Sequence, residues 1–132
     1  MGKSILIAED DLDSRQLLED LLKAFRRYDV QVFVARDGEE AVAMAEREHP
    51  DLVLLDVMMP GKDGYEVCKA IKENPDLADT YVIMVTSRTS TQDRVQAVIA
   101  EADEYLTKPY KVNLILERVQ QVLNVVPVSI SQ

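Results

Sequence analysis

Apolar residues along this chain follow two alternating rhythms. Short apolar runs occur at Ile5–Ala8, Val30–Ala35, Leu52–Leu55, Tyr81–Val85 and Glu104–Thr107. Three of them are nearly all apolar and lack a period of two, the pattern of strands buried on both faces of a parallel sheet. Between the runs lie stretches with helical spacing. Leu17, Leu18, Leu21, Leu22 and Phe25 form one helix face, and Ala41, Val42 and Ala45 a second helix begun after Asp37-Gly38. Val67, Cys68 and Ile71 mark a third, begun near Asp63-Gly64 and stopped by Asn74-Pro75. Val95, Val98, Ile99 and Ala102 mark a fourth, and Ile115, Leu116, Val119, Val122 and Leu123 a fifth.

Five strand–helix alternations predict an α/β fold with helices on both faces of one parallel sheet, because crossovers between parallel strands are right-handed. The doubly wound order 2-1-3-4-5 is the natural candidate, although periodicity alone does not order strands. The helical period stops after Asn124. Residues 1–124 are therefore read as one domain, and 125–132 (VVPVSISQ in its last eight positions) as a C-terminal tail or the start of a linker.

Composition narrows the partners. The 132 residues carry 15 basic and 24 acidic side chains, a formal net charge of -9. Such an excess repels phosphate backbones and anionic lipid, so direct nucleic-acid and membrane binding are not expected. The start, MGKSILIAEDD, lacks the apolar core of a signal peptide, and no run approaches the roughly 20 apolar residues of a membrane span. The single cysteine, Cys68, makes no internal disulfide and has no zinc-ligand cluster around it. These features predict a cytoplasmic protein.

The residues that end the apolar runs carry the candidate chemistry. Glu9, Asp10 and Asp11 follow the first run, Asp56 the third, Thr86 and Ser87 the fourth, and Lys108 the fifth. Open α/β sheets bind ligands outside the carboxyl ends of their strands. Carboxylates gathered there repel one another unless a cation intervenes, and Mg2+, which takes a few carboxylates and keeps waters, answers that repulsion. Asp56 stands alone at its strand end, as a nucleophile would. A carboxylate attacking phosphorus forms an acyl phosphate, and the work left to the site is positioning and charge stabilisation. Lys108 supplies a positive charge, and the Thr86 hydroxyl a hydrogen bond to a phosphoryl oxygen. Taken singly, each residue has an ordinary reading as a helix cap, turn residue or solvated charge. Their joint occurrence in this order points to one site.

The segments ILIAEDD, LVLLDVMMPGKDGYEVC, VIMVTS and EYLTKPY resemble the response-regulator receiver domains of two-component signalling, chemotaxis response regulators among them. The resemblance runs from about Ile5 to Leu123. It implies a flavodoxin-like sheet of order 2-1-3-4-5 with five helices. It also implies that Asp56 accepts a phosphoryl group from the phosphohistidine of a sensor histidine kinase or phosphotransfer protein, with Mg2+ as cofactor. Asp10 and Asp56 would contact the metal directly, Glu9 through a water, and the Met58 backbone carbonyl would complete the protein ligands. Lys108 would pair with the phosphoryl group, Thr86 would move toward it, and Tyr105 would change rotamer in concert. Pro109 would follow Lys108 through a cis peptide. Such a domain is a switch that catalyses its own phosphorylation and slow dephosphorylation, not a metabolic enzyme. Its output face, for a downstream effector, would be the fourth helix, last strand and fifth helix, with Tyr105, Val112 and Gln96 exposed. Glu101 stands where the family often has glycine, which bears on the local turn, and Ser87 where a small residue, often alanine, is usual.

Three other functions compete. A magnesium-dependent phosphohydrolase with an aspartyl nucleophile often wants an acid two residues further on, where this chain has Met58. A flavin-binding module needs a Ser/Thr/Gly-rich phosphate loop after the first strand, where this chain has EDDLDS. A receiver that works without phosphorylation differs only in use. His49, in AEREHPD, is read as a solvated loop residue at the far end of the sheet.

Overall fold

The computed structural model describes residues 2–125. In chain order they form β1 (Lys3–Ala8), α1 (Leu12–Leu22), a 3-10 segment (Lys23–Tyr28), β2 (Val30–Ala35), α2 (Gly38–Glu48), β3 (Leu52–Leu55), α3 (Gly64–Glu73), β4 (Tyr81–Thr86), α4 (Thr91–Ile99), β5 (Glu104–Thr107) and α5 (Val112–Leu123). All strand pairs are parallel, and the sheet order is β2-β1-β3-β4-β5. The fold is the flavodoxin-like α/β arrangement with five helices. Apart from Val125, the proposed tail lies outside the described residues. Val125 donates its N–H to the Gln120 carbonyl and packs against the core.

Successive strand residues point to opposite faces, so the sheet has two cores. Ile5, Ile7, Leu52, Leu54, Ile83 and Val85 meet Leu18, Leu22 and Phe25 on one side, together with Ile115, Val119 and Leu123 of α5. Leu6, Ala8, Val53, Leu55, Val82 and Met84 meet Ala41 and Ala45 of α2, and Val67, Cys68 and Ile71 of α3. β3 is buried throughout, and β1 and β4 are buried apart from their first residue, as their unbroken apolar runs predict. Helix starts are capped by short polar side chains. Asp11, Asp37, Asp63 and Ser90 accept from the backbone N–H groups of Ser14, Glu40, Glu66 and Asp93.

Two elements depart from the periodicity. The first helix stops at Leu22, and Phe25 reaches the core from the 3-10 segment. In α4 the buried residue is Ala97, followed by Ala100 just past its end, whereas Val95, Val98 and Ile99 face outward, Val98 at 75% exposure. This short helix turns its small residues toward the core and leaves its larger apolar residues in solvent. At its end Glu101 has φ +65°, with its N–H on the Val98 carbonyl and the Ala102 N–H on the Ala97 carbonyl. This is the helix stop that glycine usually fills, here made by a glutamate. Among the described residues no helix is long and apolar enough to cross a membrane.

Candidate functional site

The register of the sheet brings the strand ends level. Ala8 pairs with Leu55, Leu55 with Met84, and Thr86 with Thr107. The next residues, Glu9, Asp56 and Lys108, therefore leave the sheet at the same edge. Beyond the ladder, the Asp56 N–H donates to the Ala8 carbonyl at 3.0 Å and the Lys108 N–H to the Thr86 carbonyl at 2.9 Å. Gly64, first residue of α3, closes the site from beneath. A Cβ there would lie 2.3 Å from the Asp56 carbonyl oxygen, so no larger residue lets α3 approach this strand end so closely.

At this edge the Lys108 ammonium donates to Glu9 Oε1 at 2.6 Å and to Asp56 Oδ2 at 2.9 Å, with Ser14 Oγ at 3.5 Å. Glu9 is 2% exposed and Asp56 8%, so both charges are largely withdrawn from water. Glu9 Oε2 accepts from the Asp11 N–H, and Asp56 Oδ1 accepts from the Met58 N–H at 3.2 Å. Burial pushes the Glu9 carboxyl above its ordinary pKa and Asp56 adds to this, against the opposing Lys108 hydrogen bond. Burial pulls the Lys108 pKa down, but its bonds to Glu9 and Asp56 outweigh that, and the ammonium is held above its ordinary value. Lys108 is thus a fixed cation between two carboxylates.

The other expected residues sit around this triad. Asp10 is exposed and shares with Met58 a cleft of about 680 Å³ that runs to Tyr65, Arg88 and Asp93. Thr86 is fully buried, and its hydroxyl accepts from the Arg88 N–H at 3.3 Å. The Tyr105 hydroxyl donates to the Arg88 carbonyl, its ring lies 5.1 Å from the Arg94 guanidinium carbon, and it is half-buried. The Lys108–Pro109 peptide is cis. Ser87 is exposed, and His49 ends α2 at the opposite edge of the sheet.

The candidate ligands at this edge are all oxygen donors: the Asp10, Asp56 and Glu9 carboxylates and the Met58 backbone carbonyl, of which Asp10 and Met58 belong to residues lining the cleft. That set suits a hard divalent cation. Among the described residues no three carboxylate, thiol or imidazole side chains converge closely enough to hold a metal, and Lys108 pairs with both Glu9 and Asp56. The residues fit Mg2+ by donor chemistry. Sequence reasoning passed over Ser14, which lies beside Lys108, and Arg15, which reaches back to the acidic loop. The available signal was their place one turn after the acidic run.

Residues 5–120 match the model of the response regulator receiver domain. The chain belongs to that family. It is 38% identical over 121 residues to the protein named "Probable transcriptional regulator ycf27" of Porphyridium aerugineum, a match covering 92% of this chain and 48% of that one. It is 39% identical over 120 residues to response regulator PleD of Caulobacter vibrioides, covering 91% of this chain and 26% of PleD. The chain thus spans half or less of these relatives. Its fold matches the receiver domain of the Pseudomonas aeruginosa sensor histidine kinase PA1611, with TM-score 0.83 and 27% identity over 94% of this chain and 99% of that one. That structure has a magnesium ion coordinated in its active-site cleft. This receiver domain is therefore of the two-component response-regulator kind.

Proposed function

We propose that this receiver domain is a phosphoacceptor switch in which Asp56 takes a phosphoryl group from a phosphohistidine of a sensor histidine kinase or phosphotransfer protein. The observation that carries the reading is the Lys108 ammonium lodged 2.6 Å from Glu9 and 2.9 Å from Asp56. In the transfer an Asp56 carboxylate oxygen forms the new bond to phosphorus as the bond from phosphorus to the donor imidazole nitrogen breaks. Asp10, Asp56 and the Met58 carbonyl are the groups that would hold Mg2+, with Glu9 behind them. When bound, Mg2+ neutralises negative charge on the transferring group. Lys108 balances charge on the other side, exchanging a carboxylate partner for a phosphoryl oxygen. Thr86, the last paired residue of β4, donates its hydroxyl once it turns from the Arg88 N–H.

The switch works by adding charge and strong acceptors at one point of a domain with two accessible arrangements. Thr86 and Tyr105 are its moving parts, since both hold Arg88 through its backbone. The output face is α4, β5 and α5, where Val95, Val98, Ile99, Val112 and Gln96 stand exposed and await a downstream effector or attached domain. The domain acts on itself and not on a metabolite. It works in the cytoplasm, in keeping with its acidic surface and with Cys68, a buried thiol whose pKa burial pushes up to about 12.

The test is incubation of the protein with MgCl2 and a low-molecular-mass acyl phosphate, followed by intact mass measurement. One added phosphoryl group is expected on the wild type and none on Asp56→Asn. An unmodified wild type, or a variant modified equally, removes the proposal.

A further inference from the structure

The acidic loop after β1 is held from three directions. The Glu9 N–H donates to the Ala35 carbonyl at 3.1 Å, and the Asp11 N–H donates to the Glu9 side chain at 3.1 Å. The third hold comes from α1. Arg15 Nη1 donates to both the Glu9 and the Asp10 carbonyl oxygens, each at 3.2 Å. One guanidinium nitrogen thus joins two consecutive carbonyls. Because a peptide unit is planar, fixing both carbonyls sets the backbone on either side of the Asp10 Cα and with it the direction of the Cα–Cβ bond from which the Asp10 carboxylate extends. Arg15 is anchored in turn, its own N–H donating to the Asp11 carbonyl at 2.9 Å as the first turn of α1 closes.

The geometry points to Arg15 as a positioning residue that presents the Asp10 carboxylate to the divalent cation. The inference rests on the magnesium-dependent reading given above. It is unexpected on charge alone, because a guanidinium beside a cation site opposes binding of the cation. Hydrogen bonding and charge therefore act with opposite signs. If Arg15 works through its paired hydrogen bonds, removing it weakens Mg2+ binding. If it is only a nearby charge, removing it strengthens binding. A lysine keeps the charge, but its ammonium ends one bond short of the Nη1 position and lacks the planar guanidinium that directs it.

The experiment is calorimetric titration of MgCl2 alone into the metal-free full chain, for wild type, Arg15→Ala and Arg15→Lys. Thermal unfolding without metal checks that each variant folds, and Arg15→Lys carries the test if Arg15→Ala does not. Both variants are expected to bind Mg2+ about 10-fold more weakly, the usual effect of losing a group that orients a ligand. Phosphoryl uptake at saturating Mg2+ should stay within about twofold of wild type, which separates presentation of the metal ligand from the transfer itself. Equal or tighter binding by Arg15→Ala, or wild-type binding by Arg15→Lys, overturns the inference. If the variants match a wild type that does bind Mg2+, the positioning role alone falls. If the wild type takes no Mg2+, the proposed function falls with it.

Discussion

The two edges of the sheet use polar groups in opposite ways. At the amino-terminal edge, Asp51 Oδ2 accepts from the Ser4 N–H at 2.8 Å, and the Thr80 hydroxyl donates to the Pro50 carbonyl at 2.9 Å. The Lys72 ammonium donates to the Thr80 carbonyl at 2.7 Å and to Asp103 Oδ2 at 2.8 Å, and the same carboxylate oxygen accepts from the Val82 N–H. Each charge there meets a complementary partner, and the contacts join α3, β4 and the turn before β5. At the carboxyl-terminal edge two buried carboxylates share one ammonium, and a third, Asp10, is left in the open cleft. The first edge is satisfied internally and so supports the fold. The second keeps more negative charge than its one lysine balances.

Four substitutions would break or sharpen that contrast, and a fifth, outside both edges, sets its scale. The largest effect is expected from Asp56→Asn, which should abolish phosphoryl uptake by mass measurement while leaving a cooperative thermal transition. At the other edge, Asp103→Ala should leave the Val82 N–H and the Lys72 ammonium short of a partner. A loss of about 2–3 kcal/mol in chemical denaturation is expected, with phosphoryl uptake retained below the transition. Uptake lost with Asp103→Ala in the folded protein would erase the distinction between the edges.

Acid titration separates buried charges by sign. The Arg118 guanidinium, chiefly, holds the Glu104 carboxyl below its ordinary value of 4.5, and Tyr81 adds a hydrogen bond. A depressed carboxyl contributes stability that is present above the unfolded-state value and lost as pH falls through the folded-state value. Glu104→Gln should therefore flatten the loss of stability below about pH 4.5. Glu9 has the opposite sign. Its raised pKa means that ionisation opposes folding once pH exceeds 4.5. Glu9→Gln should raise the neutral-pH unfolding midpoint in magnesium-free buffer, and a lowered midpoint would refute the account of that edge. The smallest effect belongs to neither edge. Glu101→Gly relieves a left-handed residue and should stabilise the fold by about 0.5–1 kcal/mol, read as a small rise in unfolding midpoint.

Much of the fold was legible in the residues. The strands begin and end within a residue or two of their apolar runs, because a strand buried on both faces admits little else. Glu9, Asp56, Thr86 and Lys108 were legible as residues at the ends of apolar runs, but their burial was not, since Glu9, Asp56 and Thr86 stay buried where the apolar runs stop. What periodicity did not convey was which apolar face of a helix meets the sheet. In α4 the helical spacing of Val95, Val98 and Ile99 resembles a core face, yet Ala97 and Ala100 are the residues that pack. The way the helix is set against the sheet decides this, and spacing alone does not choose between the two faces. Nor did the sequence reveal that Asp103 ties Lys72 to β4, a contact between residues 31 positions apart.

By itself, the sequence determined the order of strands and helices along the chain and placed Glu9, Asp10, Asp56, Thr86 and Lys108 at the ends of the apolar runs as candidate site residues. These are properties of local pattern, because hydrophobic burial acts on each segment's own spacing. Tertiary structure decided which of those residues touch. Lys108 lies 99 positions from Glu9 and 52 from Asp56, and only the β1–β3–β4–β5 register brings its ammonium between their carboxylates. Arg15's hold on the acidic loop is likewise a matter of directed hydrogen bonds. Such bonds depend on the distance and angle of atoms that the folded chain sets, and pattern along the chain does not encode them.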